Sequence, residues 1–130
     1  MYPVDTGLIA LFDRSGKANA GHALETAVLH ELHRRGAKVN YVHTEGGFEV
    51  DFLARGVDGE QTLIQVCAEL DNPATLAREV RALQDAACTW PQAALQLITL
   101  SAPPAGSVPA GVALYLAADW LLLQESSGAV

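Results

Sequence analysis

Phe48-Glu-Val-Asp-Phe-Leu-Ala-Arg55 alternates between apolar and polar residues, the pattern of a half-buried β-strand. The alternation predicts one face with Phe48, Val50 and Phe52, and an opposite face with Glu49, Asp51 and Leu53. Carboxylates at a covered sheet surface are costly unless they are paired, solvated or metal-bound. The fold should therefore bring partners to Asp51.

The segments around this strand predict a helix and an antiparallel meander. Leu24, Val28, Leu29 and Leu32 repeat at helical spacing, which predicts a helix over residues 20–35 that stops at Gly36. Strands are expected over residues 39–44 and 61–69, on either side of the central strand. The glycine-containing turns at 45–47 and 56–59 connect these three strands as hairpins.

The second half of the chain predicts a helix between two further strands. Asp71-Asn-Pro73 is typical of a helix start, and apolar residues follow at helical spacing. Residues 94–100 and 112–116 are apolar enough for covered strands. We also expect a short helix at 4–13, a helical turn or short helix at 119–123 and a frayed tail at 124–130. Together these elements predict a single α/β domain over residues 1–130, with a mixed central sheet of about five strands flanked by helices in the order α-α-β-β-β-α-β-β-α.

The composition favours a globular protein and disfavours an autonomous nucleic-acid binder. Hydrophobic residues make up 50% of the chain, and no run approaches a membrane span. The formal net charge is -7, with 8 Lys and Arg against 15 Asp and Glu, whereas phosphate binding relies on basic residues. Two cysteines outside a Cys-x-x-Cys pair, and no visible secretory signal, favour a cytoplasmic protein with no membrane partner.

Four residues form a candidate site. Glu25 lies on or beside the apolar stripe of its helix, Asp51 is in the second strand, and Gln65 and Cys67 share a face of the third. Adjacent antiparallel strands can place Gln65 and Cys67 beside Asp51. Two simpler interpretations stay open: Glu25 is a glutamate at the rim of the stripe, and Cys67 is a structural thiol packed in the sheet.

These positions resemble a known arrangement. A glutamate on a helix, an aspartate in a second strand and Glu/Gln-x-Lys in a third strand is the pattern of the PD-(D/E)XK nuclease-like superfamily. One branch resembles the chain over nearly its whole length: the C-terminal domain of unknown function on many prokaryotic AAA-type ATPases. The motifs that carry this resemblance are Tyr2-Pro-Val-Asp-Thr-Gly-Leu, Leu24-Glu25, Leu32-His-Arg-Arg-Gly36, Glu49-Val-Asp-Phe52, Ile64-Gln-Val-Cys67 and Asp119-Trp-Leu-Leu.

The resemblance implies a restriction-endonuclease-like fold and a site that departs from an active nuclease. Glu25 and Asp51 match the metal-binding acids, and Gln65 matches the variable acid or amide position, so Mg²⁺ is the implied cofactor. Cys67 stands where an active nuclease has lysine, and Val50 stands where it has proline. The implied function is a non-catalytic or degenerate accessory domain of an AAA-type ATPase, in cis or in trans. A weak Mg²⁺-dependent DNA endonuclease is the alternative, followed by an unrelated small α/β binding protein.

The cysteine matters for the chemistry. A thiol is mostly neutral at pH 7. It cannot replace the lysine ammonium that stabilises the negative charge on the pentacovalent phosphate during phosphodiester cleavage. Losing one such donor costs on the order of 10²–10³ in rate. Arg78 and Arg81 are the nearest cations along the chain, and both are expected to face outward. We further expect Glu25 and Asp51 to lie within one metal-ion span. The apolar strands at Ile98 and 114–116 and the segment 120–123 are expected to dock on the ATPase module or on a second copy of the chain.

Overall fold

The computed structural model describes residues 21–68, 73–103, 106 and 108–128, with side chains up to residue 122. The first helix, α1, is described over residues 21–34. It is followed by β1 (Lys38–His43), β2 (Glu49–Arg55), β3 (Gln61–Cys67), α2 (Pro73–Ala87), β4 (Ala94–Thr99), β5 (Val112–Leu116) and α3 (Ala117–Gly128). The strands and the helices from α1 onward confirm the predicted order, whereas the predicted helix at 4–13 lies outside the described residues.

The five strands form one mixed sheet in the order β1-β2-β3-β4-β5. The first three are antiparallel neighbours, as the hairpin turns predict. β4 lies parallel to β3, and β5 lies parallel to β4. The connection from β3 to β4 contains α2, because a parallel neighbour needs a crossover rather than a tight turn. The predicted α/β class with a five-stranded mixed sheet is therefore confirmed.

Each face of the sheet carries its own hydrophobic core. On one face, α1 and α3 pack against β2, β3 and β4 through a cluster that includes Leu24, Val28, Phe52, Ile64 and Trp120. On the other face, α2 covers the sheet through a separate cluster. Its members include Val50, Leu53, Leu63, Val80 and Leu83. This two-sided coverage explains why Leu97 and Ile98, adjacent in β4, are both fully buried.

The strict alternation predicted for β2 is wrong at its centre. Asn40 pairs with Leu53 and Val42 pairs with Val50, so two steps along β1 oppose three steps along β2. The extra residue is a β-bulge at Asp51-Phe52. Val50 and Leu53 consequently share the α2 face, and Phe52 packs on the opposite face against α1 and α3.

One charged side chain of α1 is buried: Glu31 is only 4% exposed. Its carboxylate accepts hydrogen bonds from Arg34 and Arg35, which makes the burial tolerable. The helix predicted over 119–123 is longer than expected and runs from Ala117 to Gly128, so the prediction that the tail frays from residue 124 is wrong as far as residue 128. Within the described part of the chain, no helix is long and apolar enough to cross a membrane.

Candidate functional site

The antiparallel ladder between β2 and β3 opens at Asp51. Its pairs run from Arg55 and Gln61 only as far as Phe52 and Ile64. Further along, side chains replace the backbone pairing. The Asp51 N–H donates to Gln65 Oε1 at 2.8 Å, and the Val66 N–H donates to Asp51 Oδ2 at 2.7 Å. The opening therefore lies at the position where the sequence predicted a site.

Gln65 joins the two strands through both ends of its amide. Its Oε1 accepts from the Asp51 N–H, and its Nε2 donates to the Glu49 carbonyl oxygen at 3.1 Å. Gln65 is only 1% exposed. Its amide therefore provides hydrogen-bond partners for backbone groups of β2 that have no partner on the β3 backbone. Gln65 acts in this structure as a structural bridge between β2 and β3.

A cleft of about 450 Å³ lies beside the opening, between the strand ends and α2. Asp51 and Gln65 contribute to its wall from the sheet, and Arg78 and Glu79 contribute from α2. The remaining described lining residues are His43, Gly47, Phe48, Glu49 and Ala82. The cleft therefore combines carboxylates with one arginine and one histidine, which is a polar surface suited to charged ligands.

The Asp51 carboxyl is strongly perturbed. Its pKa is raised to about 7, chiefly by burial and in smaller part by the nearby charges of Glu25, Glu79 and Glu49. The hydrogen bond from the Val66 N–H acts in the opposite direction and lowers the pKa. Near neutral pH the Asp51 carboxyl is thus divided between its neutral and charged forms.

Two more carboxyls belong to this electrostatic group. Burial raises the pKa of Glu25 on α1, and the charge of His22 lowers it in part. Burial also raises the pKa of Glu79 on α2, where Arg78 lowers it and Glu25 raises it. The helices on the two faces of the sheet therefore each carry an acid whose charge acts on Asp51. The sequence identified Glu25 as a partner and missed Glu79, because a single glutamate on an amphipathic helix carries no distinguishing pattern.

Both arginines of α2 are exposed, as predicted, and each also makes a contact. Arg78 lines the cleft; its side chain is 69% exposed and lies 3.9 Å from the Glu79 carboxylate. Arg81 lies over the ring of Phe48, 5.6 Å from its centroid. Arg78 is thus the one α2 cation among the described residues of the cleft wall. It places on that wall a positive charge that Cys67 does not provide.

Cys67 and Glu25 lie outside the described cleft wall. Cys67 is 8% exposed and belongs to the core cluster under α2, which matches the structural interpretation of that thiol. It does share the α2 face of β3 with Gln65, as the spacing predicted. Neither Cys67 nor Cys88 forms a disulfide.

The donor set was tested against the implied Mg²⁺. Magnesium takes oxygen ligands in near-octahedral geometry. Gln65 Oε1 and Asp51 Oδ2 already accept backbone N–H bonds. Across the described ranges, no three His, Cys, Asp or Glu side chains assemble into a metal-holding group. These donors therefore do not form a ready magnesium site.

Comparison with known proteins adds no assignment. No protein-family model, curated protein or solved structure matches the chain. The geometry of the described residues and the motif resemblance are accordingly the grounds on which a function is proposed.

A second polar cluster lies behind the cleft, where α1 meets α3. The guanidinium of Arg35 lies over the Trp120 ring at 4.0 Å and binds Glu31 through Nε. The Trp120 indole N–H donates to Gln96 on β4 at 3.3 Å. No sequence pattern predicts this cluster, because it depends on α3 packing beside the end of α1.

Proposed function

We propose that the chain is a non-catalytic accessory domain with a restriction-endonuclease-like fold. Its former nuclease site now stabilises the fold. The observation that carries this proposal is the double bridge at the opening of β2 and β3. The side chains of Asp51 and Gln65 accept hydrogen bonds that join the two strands, and Cys67 is packed in the core. Residues that an active nuclease would direct at substrate are thereby used to hold its scaffold.

The order of the elements supports the same proposal. A helix, an antiparallel three-stranded meander, a crossover helix and a parallel fourth strand follow one another along the chain. This is the order of elements that the motif resemblance implies. The acidic balance of the chain also favours a protein partner over a nucleic acid.

The partner proposed from the resemblance is an AAA-type ATPase module, either on the same polypeptide or as a separate chain. The test is to purify a P-loop ATPase encoded next to this chain and to measure its ATP hydrolysis with and without the domain. A reproducible change in rate, together with co-elution, supports the accessory role. If neither occurs with any neighbouring ATPase, the partner assignment is overturned.

A second candidate is a weak Mg²⁺-dependent DNA endonuclease, and Arg78 is the observation that favours it. Arg78 lines the same cleft as Asp51 and can offer a positive charge to a phosphate. Under this alternative, the resemblance implies that Asp51, Glu25 and Gln65 would hold Mg²⁺. Asp51 and Gln65 would first have to release the backbone N–H groups that they bind in this structure. Such an ion would supply charge neutralisation at the phosphate.

The two candidates are separated by a plasmid-cleavage assay with Mg²⁺ or Mn²⁺. The accessory proposal predicts no cleavage above the level of the Asp51→Ala variant. The nuclease proposal predicts cleavage that is lost in both Asp51→Ala and Arg78→Ala, and kept in Arg55→Ala, a cation on β2 outside the described cleft wall. Cys67→Lys is the matching gain-of-function variant, and its thermal unfolding must be recorded because position 67 is buried.

A further inference from the structure

The outer edge of β1 offers backbone hydrogen-bonding groups to another strand. β1 is the first strand in the sheet order, and among the described residues it pairs only with β2. Edge strands of this kind are templates for pairing with a further chain unless charge, proline or a covering element prevents it. The β1 sequence from Lys38 to His43 contains no proline, and its lysine stands at one end.

The direction of each backbone group in β1 follows from its hairpin with β2. The Thr44 N–H donates to the Phe48 carbonyl at 2.8 Å, so the backbone of residue 44 points toward β2. Direction alternates along a strand, and the bulge adds its extra residue to β2 and none to β1. Val39, Tyr41 and His43 therefore present both their N–H and C=O groups to the open edge.

The centre of this edge is an exposed aromatic residue. The Tyr41 side chain is 73% exposed, which is unusual for a large ring, and its ring centroid lies 5.9 Å from that of Phe52. Tyr41 therefore already packs on one side and leaves its other side available. Cross-strand aromatic pairs are among the more favourable pairs on a sheet surface.

The two ends of this edge carry opposite charges. Lys38 pairs with Arg55 at the start of β1, so this end is basic. At the other end, His43 pairs with Glu49, and the exposed Glu45 lies in the adjoining turn. If a second copy pairs antiparallel with Tyr41 at the centre, Lys38 of one copy lies opposite Thr44 of the other and beside its Glu45. Because the pairing is symmetric, this Lys38–Glu45 contact occurs at both ends of the interface. A parallel copy would instead place like charges together, which is unfavourable.

We propose that β1 pairs antiparallel with β1 of a second copy of this chain, with Tyr41 facing Tyr41 across a two-fold axis. The result is a continuous ten-stranded sheet. The interface is isologous, because each pair of unlike residues occurs twice. This inference does not rest on the proposed function, since it uses neither the cleft nor an ATPase partner.

The other edge of the sheet is a less specific candidate. β5, Val112–Leu116, has an apolar sequence with no charged residue. It therefore offers nothing that would select one register or orientation. The charge pattern of β1 selects both.

The association is expected to be weak and dependent on concentration. One pair of six-residue strands buries little surface, and the net charge of -7 on each copy opposes contact. Sedimentation velocity over roughly 10 μM to 1 mM covers the range of such transient complexes. We expect the wild type to shift from monomer toward dimer across this range. A monomer at every concentration would overturn the proposal.

Charge reversal tests the orientation. Lys38→Glu and Glu45→Lys should each weaken dimerisation severalfold, because each places like charges together at both ends of the interface. The double variant Lys38→Glu/Glu45→Lys should recover most of the wild-type dimer, and a general folding defect would not recover in this way. Glu60→Lys, the same charge change in the exposed β2–β3 turn, is the control and should dimerise at least as well as the wild type. A dimer that all four variants form equally would contradict the assignment to β1.

Tyr41→Pro tests the strand pairing itself. Its N–H points away from β2, so proline removes an intermolecular donor without removing a bond of the β1–β2 ladder. We expect at least about a tenfold loss of dimer, since two symmetry-related hydrogen bonds and two rings are removed. Circular dichroism checks that the variant folds. In the wild type, amide exchange at Val39, Tyr41 and His43 should slow as concentration rises, and exchange that does not change there would place the interface elsewhere.

Discussion

The two halves of the β2–β3 pair show how one hairpin can be both scaffold and site. From Arg55 to Phe52 the strands pair residue by residue through their backbones. From Asp51 onward the strands are held by the side chains of Gln65 and Asp51. A backbone ladder tolerates many side chains, whereas a side-chain bridge requires particular ones. Substitutions in the second half should therefore have far larger effects than the same substitutions in the first.

The largest effect is expected for Gln65→Leu. This change leaves the Asp51 N–H and the Glu49 carbonyl without their partners in a buried setting. We expect a loss of about 2–4 kcal/mol in the free energy of unfolding, measured by urea denaturation. The control is Gln61→Leu, the same substitution in the regular half, where the change should stay within about 0.5 kcal/mol. Equal losses in the two variants would show that the side-chain bridge is not special.

A smaller effect is expected for Asp51→Asn, and it depends on pH. The folded-state pKa of Asp51, about 7, exceeds that of an unfolded aspartate, so the folded state binds the extra proton. Wild-type stability from this group is full at low pH and is lost as pH rises toward and through 7. The asparagine variant lacks this loss. It should exceed the wild type at pH 8 by on the order of 2 kcal/mol, a value reduced for partial exposure.

The matched variant for this pH measurement is Asp58→Asn, at an exposed position in the β2–β3 turn. It should keep the wild-type decline in stability between about pH 4 and pH 8. If Asp51→Asn declines as steeply as the wild type, another group causes the dependence. The assignment of the raised pKa to Asp51 would then be wrong.

The smallest effect is expected for Glu79→Gln. The charge of Glu79 contributes to the raised pKa of Asp51, though less than burial does. Removing the charge should lower the Asp51 pKa by a few tenths of a unit. The change is small because solvent and salt screen the interaction between two charges near the surface. The carboxyl carbon of Asp51 in NMR titrations reports this shift. Arg78→Gln should move the Glu79 pKa upward, because it removes a cation that lowers it.

The sequence predicted the fold better than the site, and the reasons are physical. Hydrophobic period and turn residues determine strands and helices locally, so β1 to β5 and α2 were found close to their observed bounds. The bulge at Asp51-Phe52 escaped prediction because it depends on how β1 and β2 pair, and it reversed the face of Phe52. The burial of Glu31 likewise depends on tertiary packing, because it requires Arg35, which binds Glu31 and lies over Trp120.

At the site, the sequence indicated Glu25 and Asp51 and left their roles open. Alternation and spacing placed Asp51 and Gln65 on neighbouring strands, which the structure confirms. Spacing contains no information on what a side chain binds, so the bridging bonds of Gln65 could not be predicted. Arg78 and Glu79 were likewise hidden, because their approach to the cleft depends on the angle at which α2 crosses the sheet.

The central claim is that Asp51 now serves as a part-buried bridge between two strands. The most direct measurement is a pH titration of the Asp51 carboxyl carbon by NMR, with and without millimolar Mg²⁺. The account predicts a midpoint near pH 7 that Mg²⁺ leaves in place, with the Val66 amide proton shifting at the same midpoint because it donates to Asp51. A midpoint near that of an ordinary aspartate, or one that Mg²⁺ lowers by more than about one unit, would contradict it.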